Sequence, residues 1–566
     1  MLIKLSYHVG VKAFQEQILN LDGWRYDEAI NARINTVDTC CLYSQYDSNT
    51  AEKTVILLAK DTVTLRRNGS AEVPLFYFSS DDSLFISDSI YELQHHLKQP
   101  LDVESAYQYL YSQFLPQQKT LFQGITQVLN QQQIRFTARE SEFVMTLTDN
   151  FSLPMAEFND RSEQQLTLEL REKITAAHAA RLGENNAIFL SGGLDSQVMA
   201  IALSKDLGLG QHLTSLHFSV KDARQSELED AKLTAKTLAL PFHAIEVDAE
   251  QEIDFATLLR ANAPYIGAIS IQQLLQSAEL EQNTTVFAGQ DTRLHTPSLQ
   301  RIDEKLLSLY RLPSFDKMIS HLSSILLSLK NSLDPEFESK RYRQLAFFKT
   351  ADSIEKYLAN RFFHIANLPF QDTARVQHLQ AEIANVFDGI NTADKRSLFN
   401  TIVLQLWRRQ FIYDINYMYD TITSNKHKVA MPFYDMSLAH YSAQLPFHLA
   451  AKMTKGRAGH GAKEVSVNKY LLRKAYEGEL DDSLVFRDKA VCLTAHMFFN
   501  GGLSHELEGF MYADWLTTHS VAQALHLPEL QKLCKRKHHN WLESDHWLMM
   551  TVFNALVIYH HLRAIN

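Results

Sequence analysis

At 566 residues the chain exceeds what one compact core spans, and its 45% hydrophobic and 21% charged residues are those of an ordinary globular protein, so two or more domains are expected. A formal net charge of −10 argues against a general nucleic-acid binder, although local basic patches leave room for an anionic substrate. Four cysteines (Cys40, Cys41, Cys492 and Cys534) without a CxxC suit a reducing compartment.

The opening MLIKLSYHVGVKAF has one lysine and no long apolar run. No later stretch approaches about eighteen uninterrupted apolar residues, the length of a spanning helix. Neither signal peptide nor anchor is expected, which implies a cytoplasmic protein with no membrane partner. Up to about residue 150 the pattern is β-rich, with the runs TVILLA (54–59), PLFYFS (74–79) and SLFISD (83–88) between turn residues such as Asn68-Gly69 and Asp81-Asp82. From Arg161 the pattern turns helical, then gives a strand at Ala187–Leu190 and a helix after Ser196. A strand at Thr214–Val220, a helix from Glu227, a strand at His243–Val247 and the apolar run TTVFAG (284–289) continue the alternation. Such alternation predicts a parallel sheet with helices on both faces.

Beyond Leu299 the sequence reads as helical nearly to its end, with amphipathic stretches such as residues 397–420. TKGRAGHGAKEVS (454–466), with three glycines and mixed charge, reads as a loop. The expected fold is a β-rich front domain, residues 1–155, followed by an α/β domain, residues 156–566, whose C-terminal part is largely helical.

The strongest chemical signal is AIFLSGGLDSQVMA (187–200), in which a buried strand runs through Ser191-Gly192-Gly193-Leu194-Asp195-Ser196 into a helix. Gly192 and Gly193 permit positive φ and let backbone N–H groups approach phosphate oxygens. The helix directs its N-terminal donors and dipole at the same anion. Ser191 and Ser196 add hydroxyl groups, and Asp195 is suited to hold Mg²⁺ or to orient a nucleotide. No Walker pattern GxxxxGK[ST] is present. A ligand-free serine- and glycine-rich turn would share this context, but five fixed residues match by chance only on the order of once in a thousand such chains. The histidine pairs His538-His539 and His560-His561 point about 100° apart on a helix and seldom share one ion, so no metal beyond Mg²⁺ is expected.

SGGLDS resembles the signature of the PP-loop ATP pyrophosphatases, which split ATP between its α- and β-phosphates. Among the families that share it, the later landmarks are similar to those of asparagine synthetases. FSVKDARQSELEDAKLTA (218–235) resembles that family's adenine-side strand and the helix after it, which implies that Phe218 and Ser219 border the nucleotide. ALPFHAIEV (239–247), MPFYDMSLAHYSAQLP (431–446) and NKYLLRKAYEGELDDSLVFRDKA (468–490) resemble later stretches, the last ending in the family's R-x-K. NGSAEVPLFYFSSDDSLFISDSIYEL (68–93) and FLPQQKTLFQGITQVL (114–129) resemble its front domain, an N-terminal-nucleophile (Ntn) hydrolase fold. The likeness runs, with gaps, over almost the whole chain.

The resemblance implies ATP and Mg²⁺ as cofactors, with Ser191, Gly192, Gly193, Leu194, Asp195 and Ser196 around the phosphates and Asp195 and Asp291 on Mg²⁺. Arg487 and Lys489 form the R-x-K, and Lys489 would stabilise an oxyanion or pyrophosphate as a point charge. Gln290 stands where the family has the glutamate of the amide-forming step, and it cannot serve as a general base. The family's nucleophilic cysteine at position 2 is Leu2 here, an alkyl group that cannot attack an amide. A degenerate glutaminase-like front domain follows, and with it a nitrogen source other than glutamine. β-Lactam synthetases and lasso-peptide cyclases show the same combination.

The expected activity is AMP- and pyrophosphate-forming ligation of a small-molecule or peptide carboxylate to an amine, in natural-product or peptide biosynthesis, without nucleic-acid partners and compatible with a homodimer. Two alternatives come from the same residues. A tRNA- or sulfur-transfer enzyme is disfavoured by the acidic balance and the missing CxxC, and a partner-binding pseudoenzyme is kept open by Gln290. The basic set Lys452, Lys455, Arg457, Lys463, Lys469, Arg473 and Lys474 would either cap the phosphates or form a plain charged surface.

Overall fold

The computed structural model describes residues 1–8, 13–20, 24–26 and 40–44, most of 53–289, the pieces 353–363, 372–385 and 400–401 with positions 318, 322 and 370, and most of 412–565. In the front part, eleven strands are described: β1 (Leu2–His8), β2 (Ala13–Asn20), β3 (Trp24–Tyr26), β4 (Cys40–Ser44), β5 (Thr54–Leu58), β6 (Thr62–Arg67), β7 (Phe76–Ser79), β8 (Ser83–Ser87), β9 (Ile125–Gln127), β10 (Gln132–Ala138) and β11 (Phe143–Asp149). They make two antiparallel sheets, ordered β2-β1-β8-β7-β9 and β11-β10-β6-β5-β4-β3. Period-2 alternation drives each: on β5, Thr54, Ile56 and Leu58 are buried while Val55 and Leu57 are half-buried. The sheets meet through their inward rings, with Tyr77 edge-on to Phe136 at 5.5 Å between centroids.

Helix α1 (Ile90–Leu97) starts where the Ser89 side chain accepts from the Glu92 N–H and stops where Lys98 turns left-handed, at φ 53°. Helix α2 (Val103–Ser112) is buried from Ser105 onward. Helix α3 (Glu163–Ala179), capped by Ser162, turns Leu166, Leu170, Ile174 and Ala177 inward, the i+4, i+4, i+3 spacing of one helical face.

The second body is mixed α/β. Strands β12 (Asn186–Phe189), β13 (Leu213–Val220), β14 (Phe242–Val247), β15 (Thr285–Phe287) and β16 (Lys428–Ala430) form a sheet ordered β14-β13-β12-β15-β16. Every described pairing in it is parallel. Alternation sends Ala187 and Val286 into one apolar cluster and Ile188 and Phe287 into another, so both faces are covered. Helices α4 (Leu194–Ile201), α5 (Leu228–Thr237), α6 (Ala268–Ser277) and α7 (Ile412–Ser424) pack against it, while α8 (Tyr470–Ala475) packs on α3 and α9 (His546–Ile565) on α2. Among the described residues no helix is long and apolar enough to cross a membrane.

Two expectations are corrected. The stretch expected to be helical from Leu299 onward contributes β16 to the parallel sheet. Most of the expected loop 454–466 lies outside the described residues, but its ends belong to an antiparallel hairpin, β17 (Ala451–Lys455) with β18 (Glu464–Asn468). The β-branched Val465 and Val467 supply strand propensity there, and the glycines 456, 459 and 461 fall between the strands.

Front and second bodies are joined by buried polar groups. Arg181 donates to Glu72 Oε1 at 3.1 Å and to Asp435 Oδ2 at 3.1 Å, with Arg181 and Glu72 fully buried. Asn262 forms a second joint: its Nδ2 donates to the Asp88 carbonyl at 3.0 Å and to Asp420 Oδ1 at 2.7 Å, and its Oδ1 accepts the Ile90 N–H at 2.8 Å. Backbone N–H groups of Asn262 and Ala263 also donate to Asp420 Oδ2.

Candidate functional site

The Ser191–Ser196 loop leaves the sheet at its centre. Strand β12 has β13 on one side and β15 on the other, so chain order reverses beside it. That is the topological switch point where open α/β sheets bind ligands. The Leu190 N–H donates to the Leu216 carbonyl at 2.8 Å, carrying the pairing with β13 to the edge of the loop.

Hydroxyls hold the loop in shape. Ser196 Oγ accepts the Ser191 N–H at 3.1 Å and lies 2.9 Å from the carbonyls of Ser191 and Gly193. Ser191 Oγ accepts the Gly193 N–H at 3.0 Å and sits 3.1 Å from Ser196 Oγ. Gln197, fully buried, donates from Nε2 to the Gly192 carbonyl at 3.2 Å. The two serines therefore brace the turn, a role beyond donating to an anion. Gly193 is the N-cap of α4 and makes no side-chain cap bond, which leaves the mouth of the helix free of a side chain.

The expected conformational use of the glycines is corrected. Neither Gly192 nor Gly193 has positive φ, and Gly193 is extended at φ −81°, ψ 147°. What Gly193 supplies is room, since a Cβ there would lie 3.1 Å from Ser191 Oγ. A further glycine, not singled out in the sequence, has the same task. Gly289, just beyond β15, passes so close to the loop that a Cβ would lie 3.3 Å from the Ser196 backbone and 3.2 Å from Met199 Cε.

Phe218 and Ser219 lie half-buried near the C-terminal end of β13, next to β12. His217 before them is buried, its Nδ1 2.8 Å from the Leu190 carbonyl, and burial lowers its pKa so that the ring is held neutral. Leu194, the first residue of α4, is half-buried and packs against the cluster beneath the loop.

Asp195 has a partner the sequence hid among seven cations. Lys469 Nζ lies 2.5 Å from Asp195 Oδ1, with both side chains about one-fifth exposed, at 19% and 24%. Lys469 reaches it from a left-handed backbone, φ 55°, at the N-cap of α8. Of its basic neighbours, Arg473 donates to the Val485 carbonyl and Lys474 pairs with Glu477. This places one cation of the set at the loop and draws those two elsewhere.

Gln290, Asp291, Arg487 and Lys489 lie outside the described residues, as do His538 and His539. His560 pairs with Glu506 at 2.8 Å and His561 packs edge-on to Phe122. Among the described residues no three His, Cys, Asp or Glu side chains gather as a metal site. The loop's one carboxylate nevertheless fits Mg²⁺ arriving with phosphate oxygens, the usual way this ion is held. In the front part Leu2 opens β1 at 8% exposure, opposite Ser87.

Sequence comparison matches the family described as asparagine synthase to residues 169–552, from within α3 to within α9. No curated protein matches the chain.

Proposed function

The chain belongs to the asparagine synthase family, whose members are ATP-dependent amide-forming ligases that usually take Mg²⁺, and from this premise we propose that it adenylates a substrate carboxylate, releasing pyrophosphate, and then forms an amide with release of AMP. The observation that carries the reading is the braced Ser191–Ser196 loop at the switch point, with the Asp195–Lys469 pair at its side. A carboxylate is a poor acyl donor because its leaving group would be an oxide, and transfer to AMP supplies a better one. The site's work is then positioning and charge neutralisation around the α-phosphate.

In this reading loop N–H groups and the open end of α4 receive phosphate oxygens. Asp195, with Asp291, would hold Mg²⁺, which supplies charge neutralisation between the phosphates. Lys469 exchanges Asp195 for a phosphate oxygen when nucleotide enters, and Phe218 and Ser219 border the nucleoside. Arg487 and Lys489 stabilise charge on the pyrophosphate or on the tetrahedral oxyanion, and Gln290 orients a substrate without taking a proton.

Residues 1–155 are read as a degenerate, glutaminase-like Ntn domain and residues 156–566 as the synthetase domain. Support for the first comes from Leu2, a buried alkyl group at the position where the family keeps its nucleophile. The amine is therefore carried by a small-molecule or peptide substrate, as in the glutaminase-deficient branch of natural-product and peptide biosynthesis.

The test is product analysis with ATP, Mg²⁺ and panels of candidate acids and amines. AMP and pyrophosphate are expected, and no glutamate from glutamine. ADP with phosphate, or robust glutaminase turnover, would overturn the assignment.

A further inference from the structure

The six-stranded front sheet ends on β11, which pairs with β10 and with no other described strand. The bonds on its inner side show which backbone groups it leaves open. The Ala138 N–H donates to the Asp61 carbonyl at 2.8 Å, so the even-numbered residues of β10 turn their backbone groups to β6 and the odd-numbered ones to β11. Register sets Arg135 opposite Thr146, and the Asn150 N–H donates to the Gln131 carbonyl at 3.2 Å in agreement. Even-numbered residues of β11 therefore face β10, and the N–H and C=O groups of residues 143, 145, 147 and 149 point away from the sheet.

The side chains add a second observation. Met145 lies opposite Phe136 and Leu147 opposite Ile134, both fully buried, so all four share the inward face of the sheet. Tyr77, from the other sheet, donates its hydroxyl to Met145 Sδ at 3.6 Å. Met145 is nevertheless 50% exposed and Leu147 46%. At β11 the core face runs on past its cover. The other edges are shielded in ways that this one is not. Strands β3 and β9 have three residues each, and β2 carries Glu16 in mid-strand. Strand β11 has seven residues, and its stretch FVMTLT (143–148) holds neither charge nor proline. Shortness, charge and proline are the usual devices that keep an edge from pairing.

We propose that β11 is the interface with a second copy of this chain, the two strands pairing antiparallel about a two-fold axis at Thr146. Thr146 is the middle residue of Phe143–Asp149, so this axis pairs the strand along its whole length. Met145 then lies opposite Leu147 of the second copy, twice over, and each exposed apolar side chain is covered by the other. On the outward face Thr146 meets its own copy and Val144 meets Thr148. Residues 143, 145, 147 and 149 fall at the hydrogen-bonded positions, which gives about eight backbone bonds between the copies. The two Asp149 carboxylates stand at opposite ends of the pair, so no like charges oppose. The contact is isologous and uses up the β11 edge of both copies, which closes the assembly at a dimer. The front body thereby has a task that needs no glutaminase chemistry, and the inference stands apart from the ligase reading.

Sedimentation velocity of the full chain between about 1 and 200 µM tests it. Monomer and dimer in reversible exchange are expected, with a Kd of about 1–100 µM, since one strand pair buries less than the roughly 1,200–2,000 Å² of a standard interface. Leu147→Lys should weaken association about tenfold or more, with the melting temperature of the monomer close to the parent because the side chain is half exposed. Cysteine variants test the register and remain informative if the lysine variant fails to fold. At Thr146 the paired Cα atoms would be about 4.5 Å apart, within reach of a disulfide. At Thr148 the two copies would be roughly 14 Å apart. Mild oxidation should therefore link Thr146→Cys into a covalent dimer about tenfold faster than Thr148→Cys. A parent that stays monomeric at about 200 µM, which would leave the edge to a strand of a different protein, would overturn the proposal. So would dimerisation unaffected by Leu147→Lys in a folded variant, or equal cross-linking of the two cysteine variants.

Discussion

Two inner strands of this protein end in opposite ways. Strand β1 runs between β2 and β8 and opens on Met1, Leu2 and Ile3, all buried. Strand β12 runs between β13 and β15 and exits into Ser191, Asp195 and Ser196, which keep hydroxyls and a carboxylate at a partly open mouth. Both positions are rigid, since hydrogen-bonded neighbours on either side fix them. Rigidity alone does not make a site. At β1 the side chains of Met1, Leu2 and Ile3 serve packing and the Met1 ammonium is held by Asp88 at 2.8 Å, whereas at β12 hydroxyl groups satisfy one another at a partly open turn. One scaffold carries both outcomes, and a few side chains decide between them.

Substitutions at the two ends should separate activity from stability. The largest effect is expected at Asp195. Asp195→Ala should lower substrate-dependent pyrophosphate release about a hundred- to a thousandfold, the loss of one preorganised charged group, with circular dichroism and melting temperature close to the parent. Retained activity would return the Asp195–Lys469 pair to a structural role. Leu2→Ala should do the reverse: about 2–3 kcal/mol less stable by denaturant titration, from lost burial and a cavity, with pyrophosphate release per folded molecule unchanged. A loss of activity beyond the unfolded fraction would show that the front body serves the reaction.

The effect confined to one pH range concerns the seam between the bodies. Burial raises the pKa of the Asp420 carboxyl from 3.8 to about 7, against the pull of the N–H donors of Ala263 and Asn262, with Asp88 adding to the rise. A folded pKa above the unfolded one means that the native chain keeps a proton the unfolded chain has lost. The contribution is whole below pH 3.8 and is lost as pH rises to about 7. Asp420→Asn cannot ionise, so its melting temperature should gain on the parent between those pH values and then run parallel. A difference independent of pH would mean that the carboxylate is stabilised as an anion by its donors.

The parallel sheet was legible in the sequence because each strand is a short apolar run between turn residues, and the loop was legible because all six of its residues are contiguous. Strand β16 was not, since three residues of Lys428–Ala430 carry no period and the strand exists only through pairing with β15. Lys469 was visible only as one cation in seven, because its meeting with Asp195 spans 274 positions. Gly289 and Gln197 brace the loop through contacts that local pattern does not encode. The conformation of Gly192 and Gly193 is not legible in the sequence, because a glycine can supply space without a left-handed backbone.

The order of the strands also has a bearing on how the protein comes into being. During synthesis the loop emerges soon after β12, but β16 lies beyond residue 427 and Lys469 later still. A nascent chain therefore displays the Ser191–Ser196 turn with one flank of its sheet unpaired and the Asp195 carboxylate not yet joined by Lys469. Parallel pairing across so long an interval is slow to close, and the exposed edge of β15 is open to wrong partners in the meantime. Expression at low temperature, or with chaperones that shield strand edges, should raise the yield of folded protein.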